Sequence, residues 1–387
     1  MIIHNIELHN WKNFQQCSVN LTERCFIVGA NATGKSNFLD AIRFLRDIVK
    51  QGGGLQTAVD NRGGITKIRC LAARTKTTVK IAVTLREQAD SKDKWIYTLE
   101  FKHTGGGIQK NAVHIISEQV YAADANELIL DRTEKSTGED EETLQYTHLE
   151  QANANQRFRE IKDTFLNIEY LNIVPQMVRE SSSASNKEDY YGRNFLAQLS
   201  RLNEATRNSY LRKVNEVMRL AVPQLDELTF TKDENGHYHL EATYLHWRAR
   251  GSKQTEMQFS DGTLRLIGFL FAILSGNGII LLEEPEINLH SGIVAQLPEF
   301  IAKMQRYKKR QILITTHSYD ILSNAGIDGS EVILLQNTEE GTKAEPISEI
   351  EDIRNILQAG LTVADAVIPR TSPSEVENIS NIDLNQL

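Results

Sequence analysis

The chain has 387 residues, 40% hydrophobic and 24% charged, with 23 glycines and 7 prolines, a globular composition that excludes a fibrous repeat or wholesale disorder. Its 51 acidic against 43 basic residues leave a net charge of −8, which argues against coating nucleic acid through bulk charge and leaves only a local basic groove for such contact. The longest apolar stretch, residues 264–274, is too short to span a bilayer, no basic-then-apolar leader opens the chain, and Cys17, Cys25 and Cys70 form neither a disulfide set nor a CxxC pair; a cytoplasmic protein without a membrane partner is expected.

Alternation predicts strands over residues 2–8 and 15–20, and a compact apolar run predicts a third over 24–28. A small polar loop, 29–34, follows at once, and Phe38, Ile42, Leu45 and Val49 then recur at the spacing of one helix face over 35–49. Strands 79–85 and 95–101 read as an antiparallel hairpin across the polar turn 88–94. Residues 131–150 and 180–193 are polar enough to read as exposed loops. Helices are expected over 158–165 and 195–220, and a hairpin of 228–231 and 238–244 around Asn235-Gly236. A helix over 263–274, a buried strand 279–282, a helix 291–304 and a strand 311–315 make a βαβ unit, whose continuous apolar strands fit a parallel sheet covered on both faces. Neither an internal repeat nor a long heptad run is present.

Gly29-Ala30-Asn31-Ala32-Thr33-Gly34-Lys35-Ser36 fits GxxxxGK[ST] between a strand and a helix, the context that marks a phosphate loop. Its glycines let successive N–H groups curl toward phosphate oxygens, Lys35 bridges the β- and γ-phosphates of ATP, and Ser36 ligates Mg²⁺. The apolar strand before Glu283-Glu284-Pro285-Glu286 ends in acids; beside a phosphate loop, Glu283 takes the metal side and Glu284 the attacking water, with no catalytic role left for Glu286. Residues 312–318 repeat the design, and a neutral His317 imidazole at that strand end donates to the γ-phosphate. Ser260-Asp261-Gly262-Thr263, alone, is an ordinary helix start.

In that chain order these motifs resemble the ABC-type ATPases of the SMC, RecF and OLD branch, and most closely the small bacterial "AAA family" ATPases of anti-phage defence operons. The resemblance is carried by Asn10 to Phe14, Gly29 to Ser36, Asn37 to Ile42, Ser260 to Arg265, Glu283 to Glu286 with Leu289-His290, and Thr316 to Ser318. It implies an α/β fold, an ABC-type P-loop ATPase head with a mixed sheet and a largely helical insertion lobe. The head is then split between residues 1–119 and 259–345, with the insertion at 120–258 and a short polar tail at 346–387. It implies ATP held by Gly29, Asn31, Ala32, Thr33, Gly34, Lys35, Ser36 and Asn37 of one head and by Ser260 and Gly262 of another. Mg²⁺ is then ligated by Ser36, Glu283 and, as the family's metal-contacting glutamine, Gln176. Asp261 stands where many transporters have glycine; aimed at phosphate its carboxylate repels, so it is expected to turn back and cap its own helix.

The implied protein is a homodimer or higher homo-oligomer whose ATP-driven closure controls an effector, a nuclease or toxin in trans. The alternative is a RecF- or SMC-like repair ATPase binding duplex DNA; a transporter subunit fits the large insertion poorly. Three further features have plainer readings. Asn61-Arg62-Gly63-Gly64 is a glycine turn or the arginine loop of SMC heads. The basic run 303–310 either suits a helix C-terminus or touches nucleic acid. His237, His239 and His246 lack acidic or cysteine partners at metal spacing and read as structural.

Overall fold

The computed structural model describes residues 1–73, 76–104, 112–133, 142–179, 191–192, 195–245, 251–373, 378 and 381. They form two compact units, one of residues 1–168 and 315–387, the other of residues 169–314. His246 lies outside the described residues, as do parts of both predicted loops.

In the first unit, β1 (Ile2–Trp11), β2 (Phe14–Asn20) and β3 (Arg24–Gly29) lead into helix α1 (Lys35–Val49). Short helices α2 (Leu55–Asp60) and α3 (Ile65–Ile68) follow, then β4 (Thr78–Arg86), β5 (Asp93–His103), β6 (Val113–Ala122), β7 (Glu127–Thr133) and α4 (Arg159–Leu166). β2, β1, β4, β5, β6 and β7 lie in that order in an antiparallel sheet. The position 119–120, expected as the start of the insertion, falls inside β6. Residues 131–150, read as an exposed loop, enter this sheet through β7, and 142–150 are tied down by the fully buried Glu118. Its carboxylate accepts from His148 N at 2.7 Å, Leu149 N at 3.1 Å and Tyr97 Oη at 3.1 Å. That clasp is invisible to composition because its acceptor sits 30 residues upstream.

The second unit holds β8 (Glu169–Leu171), α5 (Pro175–Arg179), α6 (Phe195–Arg201), α7 (Glu204–Ala221), β9 (Leu225–Lys232), β10 (Tyr238–Tyr244), β11 (Ser252–Thr255), α8 (Asp261–Leu274), β12 (Ile280–Glu283), α9 (Ser291–Val294) and α10 (Leu297–Lys308). The helix expected over 195–220 is broken at Asn203, which accepts from Thr206 N and so starts α7 as a separate helix. β9 and β10 form the hairpin turning at Gly236, whose φ is 88°, and β11 adds a third antiparallel strand. β12 pairs in parallel with β8. α8 is buried all round, as its apolar run requires, with Phe271 packed edge-on against Phe195 and Tyr210. Arg310, read with the basic run, is instead buried: it donates to Ser275 O at 2.7 Å and Gly278 O at 2.7 Å, satisfying the carbonyl end of α8.

β13 (Ile312–Thr316) carries the chain back to the first unit, where α11 (Tyr319–Leu322), β14 (Val332–Thr338), β15 (Gly341–Pro346), α12 (Glu351–Gln358) and α13 (Val363–Thr371) complete it. β14 runs parallel to β3 and antiparallel to β15, so this sheet is mixed. The tail expected as short and polar folds into α12 and α13, which bury Ile353, Val363, Ala366 and Val367; its apolar residues are few but fall on one face. No helix among the described residues is long and apolar enough to cross a membrane. The three cysteines are buried and unpaired, and burial pushes the Cys17 and Cys25 thiols up to about 12.

α1 is the packing centre of the first unit. Phe44 lies 5.1 Å from Trp11 and 5.6 Å from Phe101, and Phe38 lies 6.0 Å from Phe14, centroid to centroid. Its buried Asp40 takes Lys12 at 2.6 Å, Arg43 at 2.6 Å and Arg62 at 2.8 Å, while Arg62 also reaches Asp47 at 2.9 Å and stacks over Phe44. Gly63 and Gly64 have φ of 81° and 88°, so Asn61 to Gly64 is the glycine turn, and its arginine points inward to this network. Burial opposes the Asp40 charge, but Arg62, Arg43 and Lys12 outweigh it and hold the carboxyl well below the usual carboxylate range. Asp40→Asn leaves these cations without their counter-charge and should lower the unfolding free energy by about 3–5 kcal/mol at neutral pH, read from urea titration. A carboxyl with a folded pKa below its unfolded one contributes fully above about pH 4 and loses that contribution as pH falls further. Wild type and variant should therefore converge in acid; a gap that stays constant down to about pH 2 contradicts the assignment.

Candidate functional site

The phosphate loop is built by three local constraints. Gly29 leaves β3 where a Cβ would stand 2.5 Å from Thr33 Oγ1 and 2.8 Å from Leu335 O, so a side chain there collides with both the loop and β14. Ala32 and Gly34 adopt φ of 64° and 97°, which curls the backbone and costs the alanine strain. Thr33 closes the curl, donating from N at 3.3 Å and from Oγ1 at 2.8 Å to Ala30 O. Lys35 is folded under its own loop, 7% exposed, with Nζ donating to Gly29 O at 3.0 Å and Ala30 O at 3.3 Å. The helix then starts with neither a side-chain cap nor an acid in its first turn, and its opening i→i−4 bond is Phe38 N to Gly34 O at 2.8 Å. A positive dipole end, a buried ammonium and consecutive N–H groups on a tight curl are a donor set that fits a polyphosphate.

Asn13 and Thr342, neither assigned a role by the motifs, hold that loop in shape. Asn13 Nδ2 donates to Ala32 O at 3.3 Å, its Oδ1 accepts from Asn37 Nδ2, and its carbonyl accepts from Thr342 N at 2.8 Å. Thr342 Oγ1 donates to Thr33 O at 2.8 Å, and Trp11 Nε1 donates to Asn37 O at 2.9 Å. Asn37 thus serves the loop by bracing it. Thr342 is 309 residues from its partner, and no short motif could have announced it. His317 is exposed at the end of β13, in a turn fixed by Ser318 N donating to Thr316 Oγ1 at 3.0 Å and by Ser318 capping α11.

The remaining predicted residues belong to the second unit and cluster around α8. Ser260 is the helix cap, its Oγ accepting from Thr263 N at 3.2 Å and lying 2.8 Å from Thr263 Oγ1. The expectation that Asp261 caps the helix is thereby corrected: Asp261 is engaged from outside, by Arg179 at 2.6 Å and by Gln176 Nε2 at 3.2 Å. Ser260, one residue earlier, has the extended backbone a cap needs, and Arg179, which also donates to Phe259 O at 2.7 Å, supplies a stronger partner for the carboxylate. Gly262 fits against the turn after β12, where an added Cβ would overlap Asn288 O. In that turn Glu284 and Asn288 have φ of 43° and 64°, conformations that L residues avoid unless packing imposes them. Arg265, buried in α8, donates to Ile173 O at 2.9 Å and Ile287 O at 3.3 Å, joining both flanking loops. Burial lowers its pKa, countered by the charges of Glu286, Glu284 and Asp261. Glu283 accepts from Tyr170 Oη on the neighbouring β8. The structure therefore gathers Gln176, Ser260, Asp261, Gly262 and the Glu284 turn around one helix end, and separately gathers residues 29–37 with Asn13 and Thr342. His237 and His239 are bound to Asp233 and Glu256 in an ordinary surface hairpin, and among the described residues no group of His, Cys, Asp and Glu could by itself hold a metal ion.

The chain belongs to the family described as "AAA domain, putative AbiEii toxin, Type IV TA system", whose model matches residues 25–323. A model for the P-loop containing region of AAA domains matches residues 3–45. Over 47 residues the chain is 45% identical to endonuclease GajA of Bacillus cereus (strain VD045), a stretch that is 12% of this chain and 8% of that protein, so less than a tenth of that relative is spanned. Among solved structures, an SMC head bound to the C-terminal winged-helix domain of ScpA is similar over 89% of this chain and 97% of its own, with a TM-score of 0.56 and 15% identity. An SMC head with an extended coiled coil, bound to the C-terminal domain of ScpA derived from Pyrococcus furiosus, covers 92% and 99%, with a TM-score of 0.51 and 12% identity. The fold is thus that of an ABC-type P-loop ATPase head, as the motif order implied.

Gly262→Ala tests the close approach of α8 to the turn that bears Glu284. The added methyl has only main chain to push against, so the variant should lose about 1–3 kcal/mol of stability by urea titration. Wild-type stability in Gly262→Ala contradicts the packing role.

Proposed function

We propose that the protein is a Mg-ATP-dependent ATPase switch whose heads dimerise around ATP and whose closure controls a nuclease or toxin partner. The observation that carries the reading is the uncapped start of α1 behind the curled loop, with Lys35 folded beneath it, in a chain whose family model spans 25–323. Membership of a family described as a putative toxin of a toxin–antitoxin system, and the short match to a protein named an endonuclease, support an effector in trans. The SMC heads solved with ScpA domains support a head that acts by gripping another protein.

In this reading the backbone N–H groups of residues 31–36 and Lys35 bind the β- and γ-phosphates, and Asn37 keeps the loop in place through Asn13. Mg²⁺, when bound, neutralises charge building between the phosphates. Ser36 and Glu283 are the residues that would hold it. Gln176, whose amide nitrogen is engaged by Asp261, would present its carbonyl oxygen. The Glu284 carboxylate orients the attacking water and takes its proton, from a turn whose strained backbone fixes its aim. His317 and the partner head's serine–glycine helix start donate to the γ-phosphate oxygens. Ser260 Oγ accepts from Thr263 N through a lone pair, and when Thr263 Oγ1 is the donor of the 2.8 Å contact between the two hydroxyls, the Ser260 proton serves that purpose.

Two variants test this. Glu284→Gln should bind ATP as wild type does yet hydrolyse it at least about a hundredfold more slowly, because the side chain acts on the water alone. Ser260→Arg should bind ATP as a monomer and fail to dimerise with it. Turnover near wild type in either variant sinks the corresponding half of the proposal.

A further inference from the structure

The first turn of α8 carries Asp261 directly after the Ser260 cap, and α5 sends two side chains to it. Arg179 Nη2 donates to Asp261 Oδ1 at 2.6 Å and Gln176 Nε2 donates to Asp261 Oδ2 at 3.2 Å, so both carboxylate oxygens are held. The two donors stand at i and i+3 of one short helix and therefore share a face. The same Nη2 donates to Phe259 O at 2.7 Å, on the other side of the cap, so Arg179 brackets Ser260 along the chain. Arg265, one turn further into α8, feels the charges of Glu286, Glu284 and Asp261.

A carboxylate in a first turn suits the helix dipole, and that alone accounts for an acid at position 261. It does not account for the clamp. An ion pair between side chains 22% and 36% exposed adds little to stability in water, and the helix is already capped by Ser260. What the clamp changes is local charge. Glu286, Glu284 and Asp261 set three carboxylates near the start of α8 against the two guanidiniums of Arg265 and Arg179. Asp261 is next in sequence to the Ser260 hydroxyl, and Arg179 is the cation in contact with it. A γ-phosphate brought to that hydroxyl meets a helix start whose own acid is neutralised; without Arg179 it meets an open negative charge, and like charges set side by side repel.

We propose that Arg179 is a positioning residue for the composite ATP site: it neutralises Asp261 and so allows an acid-bearing helix start to receive the γ-phosphate held by a second head. This rests on the dimer reading above and adds to it that Arg179 and Asp261 act as a unit, present together or replaced together. Gln176 alone cannot take the role, because a neutral amide binds the carboxylate and leaves its charge in place. The pair also explains how an aspartate stands where a glycine would leave the site uncharged. Its charge is cancelled within the same unit, before any partner arrives.

The test is sedimentation velocity of the full chain with Mg²⁺ and the non-hydrolysable analogue β,γ-imido-ATP, on wild type, Arg179→Ala, Asp261→Asn and the double variant Arg179→Ala/Asp261→Asn. Wild type is expected to dimerise with the analogue, and Arg179→Ala to do so at least about tenfold more weakly. The double variant should return to within about threefold of Asp261→Asn, because without the acid there is nothing to neutralise. The Arg179→Ala defect should also shrink between about 50 and 300 mM KCl, as screening weakens the repulsion. Should Arg179→Ala fail to fold, Arg179→Gln, which keeps a donor for Phe259 O, carries the same comparison with and without Asp261→Asn. A purely structural role for Arg179 moves neither readout: a double variant as defective as Arg179→Ala, at low and high salt alike, overturns the proposal. Wild-type dimerisation in Arg179→Ala overturns it as well. A wild type that stays monomeric with the analogue overturns the dimer reading and this inference together, whereas a dimerising wild type confines any failure to Arg179.

Discussion

The first turn of α1 has neither a side-chain cap nor an acid, so the positive end of this long helix meets the phosphate loop with no carboxylate of its own beside it. The rest of the first unit is arranged to tolerate it. Aromatic packing of Phe38 and Phe44 fixes the helix axis, and the Asp40 network locks the opposite side of its second turn to the β1–β2 corner and to the glycine turn. The loop itself is kept curled by Asn13 and Thr342 from outside and by Lys35 from beneath. Backbone strain at Ala32 persists because these contacts over-determine it, which is how a binding site is held ready before its ligand arrives.

The second unit solves the same problem at α8 in the opposite way. Ser260 caps the helix, and Arg179 and Gln176 hold the Asp261 carboxylate of its first turn. Gly262 lets the strained turn that carries Glu284 press against the helix, so the helix start and the acidic strand end are packed directly on one another. In the dimer we propose, an open helix start that seeks an anion and a capped one that offers a hydroxyl would act on one triphosphate from two heads.

Much of this was legible in the sequence, for physical reasons that differ by element. The phosphate loop announces itself because its conformation demands glycines at fixed places and its helix follows within six residues of Gly29. The β9–β10 hairpin was legible because Asn-Gly chemistry is local. What escaped notice depends on distant partners. Glu118 organises 142–150 from across the sheet, Thr342 reaches the loop from the far end of the chain, and Arg179 claims an aspartate that local rules assign to a cap. α12 and α13 were hidden by polar composition, since a helix needs only one apolar stripe to dock. The break at Asn203 was missed because apolar periodicity resumes on its far side.

The account stands or falls on the loop before α1 being a phosphate cradle. Isothermal titration of Mg-ATP into wild type and Lys35→Ala measures this directly. The account predicts saturable binding to wild type and loss of at least about 2 kcal/mol of binding free energy, some thirtyfold in affinity, in the variant, because a charge-assisted contact to phosphate is removed from a preformed site. Equal affinity in the two proteins, with the variant folded, would contradict it.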